Sequence, residues 1–328
     1  MAQIVGVLHT SHGGFTTIPS EHWATRRAAR SYRADVPVET QEEMDEKWAR
    51  TLDSISKLRD KLVSMNPDVL VIIGDDQEEC FDFNNHPSIA VYLGDEFAGR
   101  APGAVAFEQR GSVKSELTPN PGCKALATHI LTGLLEKDFD PAFMLEMPNR
   151  ERGMAHAIMN PLGFFTDFTI PTVPVLVNAY YAPQITAKRT YRLGRALREI
   201  IDAYPEELRV VVIGSGGLWH TPGQSESWLN EEFDVAGLNY LESGQIEAWA
   251  EMFDRYEPGD DPSQEISTPR GGTTGLPSPS GPQFGSRETL CWIGAAATVD
   301  GSKTELVDYV PVYASPVGNG FAFCDHPA

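Results

Sequence analysis

Apolar residues along the chain fall into short blocks that alternate between two periods. "IVGVL", residues 4–8, is a compact apolar run and reads as a buried strand. Between 40 and 65 the period changes. Trp48, Leu52, Ile55, Leu58, Leu62 and Met65 follow one another in steps of three and four, which predicts a helix over 40–65. Thr40 and Glu43 have the spacing of a capping box at its start, and Asn66-Pro67 stops it. "VLVII", residues 69–73, follows at once as a second strand. Strand, helix, strand with short joints is the unit of a parallel sheet.

The alternation continues. Strands are expected at 88–92, 143–147, 173–178, 209–217 and 306–313, and helices at 122–137, 186–203, 230–253 and 286–297. Pro174 pushes its strand toward a sheet edge or toward that strand's own first residues. The strand at 306–313 reads as a last, edge strand. Residues 258–285 break the pattern with six prolines, six glycines and four serines, and read as a lid or binding loop. The expected architecture is α/β: one three-layer αβα domain over 1–328, with a mostly parallel central sheet.

Composition narrows the function classes. The chain has 328 residues and a net charge of −20, which opposes binding to nucleic acid or to an anionic membrane. No apolar run has the length of a membrane span, and the first residues lack a signal-peptide pattern, so a cytoplasmic protein is expected. Four widely spaced cysteines, at 80, 123, 291 and 324, form no zinc-binding pattern and read as reduced thiols.

Ligands of α/β sheets bind beyond the carboxyl ends of the strands. His9 and His12 follow the first strand, and Asp75-Asp76-Gln77-Glu78-Glu79 follows the second. His156 follows 143–147, and His220 follows 209–217. Four of the eight histidines therefore fall at strand ends, a pattern that suits a metal or acid/base site. Nucleotide binding and serine hydrolysis lack support, because "GSGG" at 214–217 is neither GxGxxG nor a P-loop, and no GxSxG surrounds Ser215. Trp219, Tyr180, Tyr181 and Phe164 are candidates for an aromatic pocket, with core packing the commoner role. Arg150, Arg152 and Arg287 are candidates for holding a substrate carboxylate, with surface pairing the commoner fate.

Five short motifs occur in order: "TSHGG", "VLVIIGDDQEECFDFNN", "MAHAIMNPL", "VVVIGSGGLWH" and "SRETLCWI". Through them the chain resembles the class III, LigB-type extradiol ring-cleavage dioxygenases, the family of protocatechuate 4,5-dioxygenase. The resemblance implies a non-haem Fe(II) held by two His and one carboxylate, with open positions for a catechol-like or aminophenol-like substrate and O2. It implies His12 and Glu288 as metal ligands, His220 as general acid/base, and His156 as the histidine beside substrate and O2. A small companion subunit is also implied, since some relatives need one, and a homodimer is expected on base rates.

One position departs. The family carries Asp-His after the second strand, where this chain has Asp76-Gln77. Four readings stand open: Gln77 coordinates through its carbonyl oxygen; His9 supplies the nitrogen; a nearby carboxylate ligates and favours Mn²⁺ or Mg²⁺; or the metal is lost and the chain is a non-catalytic subunit. The survival of His12, His156, His220 and Glu288 favours a working site with an altered ligand, and the ligand set read here is His12, Gln77 and Glu288. A metal-dependent hydrolase or lyase on the same fold is a further alternative.

Overall fold

The structure is a computed structural model and describes residues 1–102, 116–221, 226–257 and 276–326. The first strand, β1 (Gln3–Thr10), leads through a short helix α1 (Trp23–Ala28) into the long helix α2 (Gln41–Met65). The Thr40 hydroxyl accepts from the Glu43 N–H and the Glu43 carboxylate accepts from the Thr40 N–H, so the expected capping box is formed. Asn66, in the left-handed region at φ 46°, ends the helix and turns the chain into β2 (Val69–Gly74).

Then come β3 (Ile89–Tyr92), the small two-stranded pair β4 (Glu96–Gly99) and β5 (Thr118–Pro121), α3 (Lys124–Glu136), β6 (Ala142–Met144) and α4 (His156–Phe165). The chain continues through β7 (Thr172–Val177), α5 (Ala187–Asp202), β8 (Arg209–Ser215), α6 (Glu231–Ser243) and α7 (Ile246–Arg255). It closes with α8 (Thr289–Ala297), β9 (Glu305–Val312) and β10 (Val317–Asp325).

Eight strands form one sheet in the order β6-β3-β7-β2-β8-β1-β10-β9. β7, β2, β8 and β1 run parallel to one another, as do β3 and β6, while β3/β7, β1/β10 and β10/β9 are antiparallel. Strand alternation divides the core into two layers. Val69, Val71 and Ile73 of β2 join a cluster with Ile130 of α3, Leu197 of α5, Leu241 of α6, Phe253 of α7 and Trp292 of α8. Leu70 and Ile72 face the other way, onto Leu58 and Leu62 of α2 and Ile158 and Leu162 of α4. The three layers are thus helices, sheet, helices, as the sequence pattern implied. Among the described residues no helix is long and apolar enough to cross a membrane.

Several details differ from the sequence reading, and α1, the β4/β5 pair and α4 were not expected. Residues 230–253 form two helices, because Gly244 at φ 72° caps α6 and Gln245 starts a new one. β10 was not expected, and it separates β9 from β1. The strand expected at 143–147 pairs over three residues only. β7 is an interior strand despite Pro174, which is its third residue; the pairing with β3 ends at Val175, one residue short of the ring that lacks an N–H. Residues 258–275 of the expected loop lie outside the described residues. The segment after them is pinned: Ser278 Oγ donates to Gln184 Oε1 at 2.7 Å, and Ser280 Oγ to Asp254 Oδ1 at 2.6 Å.

Candidate metal centre and its histidines

β2, β8 and β1 are adjacent in the sheet, so their carboxyl ends deliver three loops to one place. β1 brings Ser11 and His12, β2 brings Asp75 to Glu79, and β8 brings Gly216 to His220. Glu288 arrives from the opposite layer, as the residue before α8. A Cβ on Gly216 would sit 2.4 Å from the Glu288 carbonyl oxygen, so the glycine lets the β8 loop lie directly against the Glu288 backbone.

The side chains converge. His12 Nε2 lies 3.2 Å from Glu288 Oε2 and 3.7 Å from Asp75 Oδ1. One ligand atom from each of His12, Asp75 and Glu288 lies within 4.8 Å of the others, and all three residues are buried. The Ser215 hydroxyl meets His12 Nδ1 at 2.9 Å, and Asn160 Nδ2 donates to the His12 carbonyl at 2.8 Å, which fixes the ring with Nε2 inward. The Gly217 N–H donates to Glu288 Oε2 at 2.9 Å. His12 Nε2 and Asp75 Oδ1 are nevertheless buried with no hydrogen bond. Buried polar atoms left without a partner are costly unless something compensates them. An imidazole nitrogen and two carboxylates facing one point fit a divalent cation.

Electrostatics agree. Burial pushes the Asp75 carboxyl well up, and the Glu288 charge adds to it. Burial disfavours a charged Glu288, but His220 and His12 outweigh that and hold it low. Burial lowers His12, with Glu288 opposing. A neutral imidazole is the ligand form of His12.

Two more histidines flank the cluster. His220 Nδ1 donates to the Leu218 carbonyl at 3.0 Å, which leaves Nε2 facing Glu288 Oε1 at 3.3 Å. Burial opposes the His220 cation, but the Glu288 carboxylate overcomes it and raises the pKa. Ser286 accepts the His220 N–H and donates to its carbonyl, pinning the backbone. His156, the first residue of α4, packs edge-on to His12 with ring centres 4.7 Å apart. Its Nδ1 donates to Glu79 Oε1 at 2.5 Å, and Glu79 Oε2 accepts the Gln77 N–H at 2.7 Å. Burial works against a charged His156, yet Glu79 pushes it up to about 9. Burial likewise opposes the Glu79 anion, but His156 brings it down to about 2.

That ion pair has a pH signature in the metal-free protein. His156 is raised from 6.5, so its contribution is complete below pH 6.5 and is lost as pH rises through about 9. Glu79 is depressed from 4.5, so its contribution is complete above pH 4.5 and is lost as pH falls through about 2. Urea midpoints of wild type are expected to fall across pH 6.5–9, by up to about 3 kcal/mol in unfolding free energy. Glu79→Gln should flatten that limb; parallel profiles in the two proteins would dismiss the pair as the cause.

The other sequence candidates separate clearly. Gln77 reaches the cluster: its Nε2 donates to Glu288 Oε1 at 2.8 Å and to Asp75 Oδ2 at 3.1 Å. His9 does not. It is the residue after inward-facing Leu8, so its ring turns to the opposite layer and packs on Trp292, centres 5.1 Å apart. Trp219 is core, fully buried against Trp228, Phe233 and Tyr256. Phe164 packs beside Phe165. Tyr180 and Tyr181 pack edge to face, and the Tyr181 hydroxyl donates to Glu78 Oε2 at 3.2 Å. Arg287 is buried and straps the chain, donating to the carbonyls of Pro282 at 3.1 Å and Ile185 at 2.7 Å. Arg150 pairs with Glu146 on the surface, and Arg152 donates to the Glu78 carbonyl. Sequence reasoning placed Glu79 only in the acidic run after β2 and did not single out Ser215 or Asn160 as supports; nothing in spacing or composition marks a residue that acts by hydrogen-bonding a neighbour's ring.

Known proteins share this chain's pattern. The gallate dioxygenase of Pseudomonas putida is 32% identical over 136 residues, covering 40% of this chain and 38% of the relative. A 2,3-dihydroxyphenylpropionate/2,3-dihydroxicinnamic acid 1,2-dioxygenase of Dechloromonas aromatica is 27% identical over 192 residues, covering 57% and 55%. One of the same name from a Mycobacterium is 28% identical over 171 residues, covering 52% and 49%. The chain thus spans about half, or less, of the length of these curated relatives. The family model for the catalytic LigB subunit of aromatic ring-opening dioxygenases matches residues 34–266, a stretch that holds Gln77, His156 and His220, with His12 and Glu288 outside it. With most of its length matched, the chain belongs to the LigB family of aromatic ring-opening dioxygenase catalytic subunits.

Proposed function

We propose that the protein is a metal-dependent, extradiol-type dioxygenase that opens a small aromatic ring bearing two adjacent hydroxyls, or a hydroxyl and an amino group. The observation that carries this is the pair of buried, unpartnered atoms, His12 Nε2 and Asp75 Oδ1, facing Glu288 between two histidines of opposite task. His12 and Glu288, with a donor from the loop at 75–77, would hold Fe(II), or Mn²⁺ in its place. When bound, the ion would bring substrate and O2 together and carry electron density between them.

The protein groups divide the remaining work. His220 Nδ1–H is committed to Leu218, so Nε2 is the atom that takes a proton from a substrate hydroxyl and returns it. His156, held as a cation by Glu79, sets positive charge beside an anionic substrate oxygen. The four free cysteines suit a reducing, cytoplasmic setting. A homodimer, or a small companion subunit, completes this reading.

The carboxylate-rich donor set also suits a redox-inert ion, so a hydrolase or lyase at the same site is the second reading. The two differ in their need for oxygen. Protein reconstituted anaerobically with Fe(II) or Mn²⁺ and offered catechols and aminophenols in an oxygen electrode should consume O2 as ring absorbance is lost. Substrate loss at the same rate without O2 would establish the second reading instead.

A further inference from the structure

We propose that the metal at this site is held by His12, Asp75 and Glu288, and that Gln77 stands outside the metal shell as the clamp that orients the two carboxylates. This rests on the same site as the proposed function, but it needs only metal binding to be true.

The acidic run after β2 offers several oxygens, and most are committed elsewhere. Asp76 accepts the Cys80 N–H at 2.7 Å and the Phe81 N–H at 3.1 Å, one on each oxygen. Glu79 is shared between His156 and the Gln77 N–H. Glu78 adopts φ 66° and takes the Tyr181 hydroxyl. His9 is on the far layer. Asp75 differs: it is fully buried, and its Oδ1 has no partner and faces His12 Nε2.

Gln77 supplies the second half of the argument. Its Nε2 binds one oxygen of each carboxylate, Asp75 Oδ2 and Glu288 Oε1. The oxygens left over, Asp75 Oδ1 and Glu288 Oε2, are the two that approach His12 Nε2, at 3.7 and 3.2 Å. Donors about 2.1 Å from an ion and at right angles to each other lie about 3 Å apart, so these three atoms need little movement to share one ion. An amide nitrogen carrying two hydrogens is not a ligand. Turning the amide over would set its oxygen against two carboxylate oxygens and strip both of a donor. The side chain therefore serves the site best as a two-pronged donor.

The charge differs from that of a two-His, one-carboxylate site. One neutral imidazole and two carboxylates bring a divalent ion to net zero instead of +1. Oxygen donors favour hard ions, so Mn²⁺ gains ground on Fe(II).

The test is metal titration of apoprotein under anaerobic conditions with Fe(II) and, separately, Mn²⁺. Wild type, Asp75→Asn and Gln77→Ala are compared, with folding checked by circular dichroism. The expected result is one ion per wild-type chain. Asp75→Asn should lose at least about 100-fold in affinity, and Gln77→Ala about tenfold, as for a supporting hydrogen bond. Retained affinity in Asp75→Asn, equal losses in both variants, or the reverse order would overturn the assignment. Should Asp75→Asn fail to fold, pulsed EPR of Mn²⁺-loaded wild type decides: one imidazole nitrogen set is expected, and two would overturn it. Binding in this pattern without oxygen consumption would sink the proposed function and leave the ligand set standing. Ring opening supported by tightly held metal in Asp75→Asn would do the opposite.

Discussion

His220→Ala is expected to lower kcat by about 10²–10⁴-fold, the range for loss of a positioned acid/base, while the chain still takes up one metal ion. The ring is aimed by two contacts of different kinds. Its Nδ1–H is spent on the Leu218 carbonyl, and its backbone is clasped in both directions by Ser286. The only ring atom left for chemistry is Nε2, 3.3 Å from Glu288 Oε1. Removing the ring takes one contact from Glu288 Oε1, but the Gly217 N–H and Gln77 Nε2 still hold that carboxylate, and His220 has no hydrogen bond to Asp75 or His12. His220→Gln separates proton transfer from simple hydrogen bonding, since an amide donates and accepts but does not exchange a proton at neutral pH. Steady-state oxygen uptake together with metal titration reads both effects. Turnover within a fewfold of wild type would take the acid/base role away from His220.

Gly194→Ala is expected to destabilise the fold, and the sign of its effect is informative. In an exposed helix the change adds about 1 kcal/mol of helix propensity. Here α5 crosses α8 at Gly194, and an added Cβ would stand 2.1 Å from the Gly294 carbonyl oxygen and 2.7 Å from Ala297 Cβ. Neither neighbour is the loose end of a flexible side chain. The helices must separate, and overpacking of this kind costs about 1–3 kcal/mol or more. A net loss of about 2 kcal/mol is expected in urea unfolding. Because Glu288 immediately precedes α8, metal affinity should fall with it. A variant as stable as wild type would mean that the two helices are not held together through these glycines.

Much of this was legible in the chain, for identifiable reasons. α2 is long, strongly periodic and capped at both ends, so its bounds could be read almost to the residue. The central strands are short runs buried on both faces, which is what a parallel interior looks like in sequence. β10 was not legible: "VGNGFAFCD" carries two glycines and an asparagine, and its place between β1 and β9 is decided by partners far away in the chain. The histidines could be placed at strand ends by counting. Which of them meet could not, because a single residue of strand phase sends His9 to Trp292 and leaves His12 at the cluster. The acidic run after β2 was the least legible stretch. Asp75, Asp76 and Glu79 are alike in sequence, yet one faces the cluster, one caps a turn and one holds His156. Those roles are set by hydrogen-bond partners from other elements.

The most direct measurement is isotopic. Metal-loaded protein would be given a catecholic substrate that it consumes, under ¹⁸O₂, and the product analysed by mass spectrometry. The expected result is an opened ring that has gained both atoms of one O2, with one O2 consumed per ring. Product carrying no label, or formed equally well without oxygen, would contradict the assignment of this site to ring-opening dioxygenation.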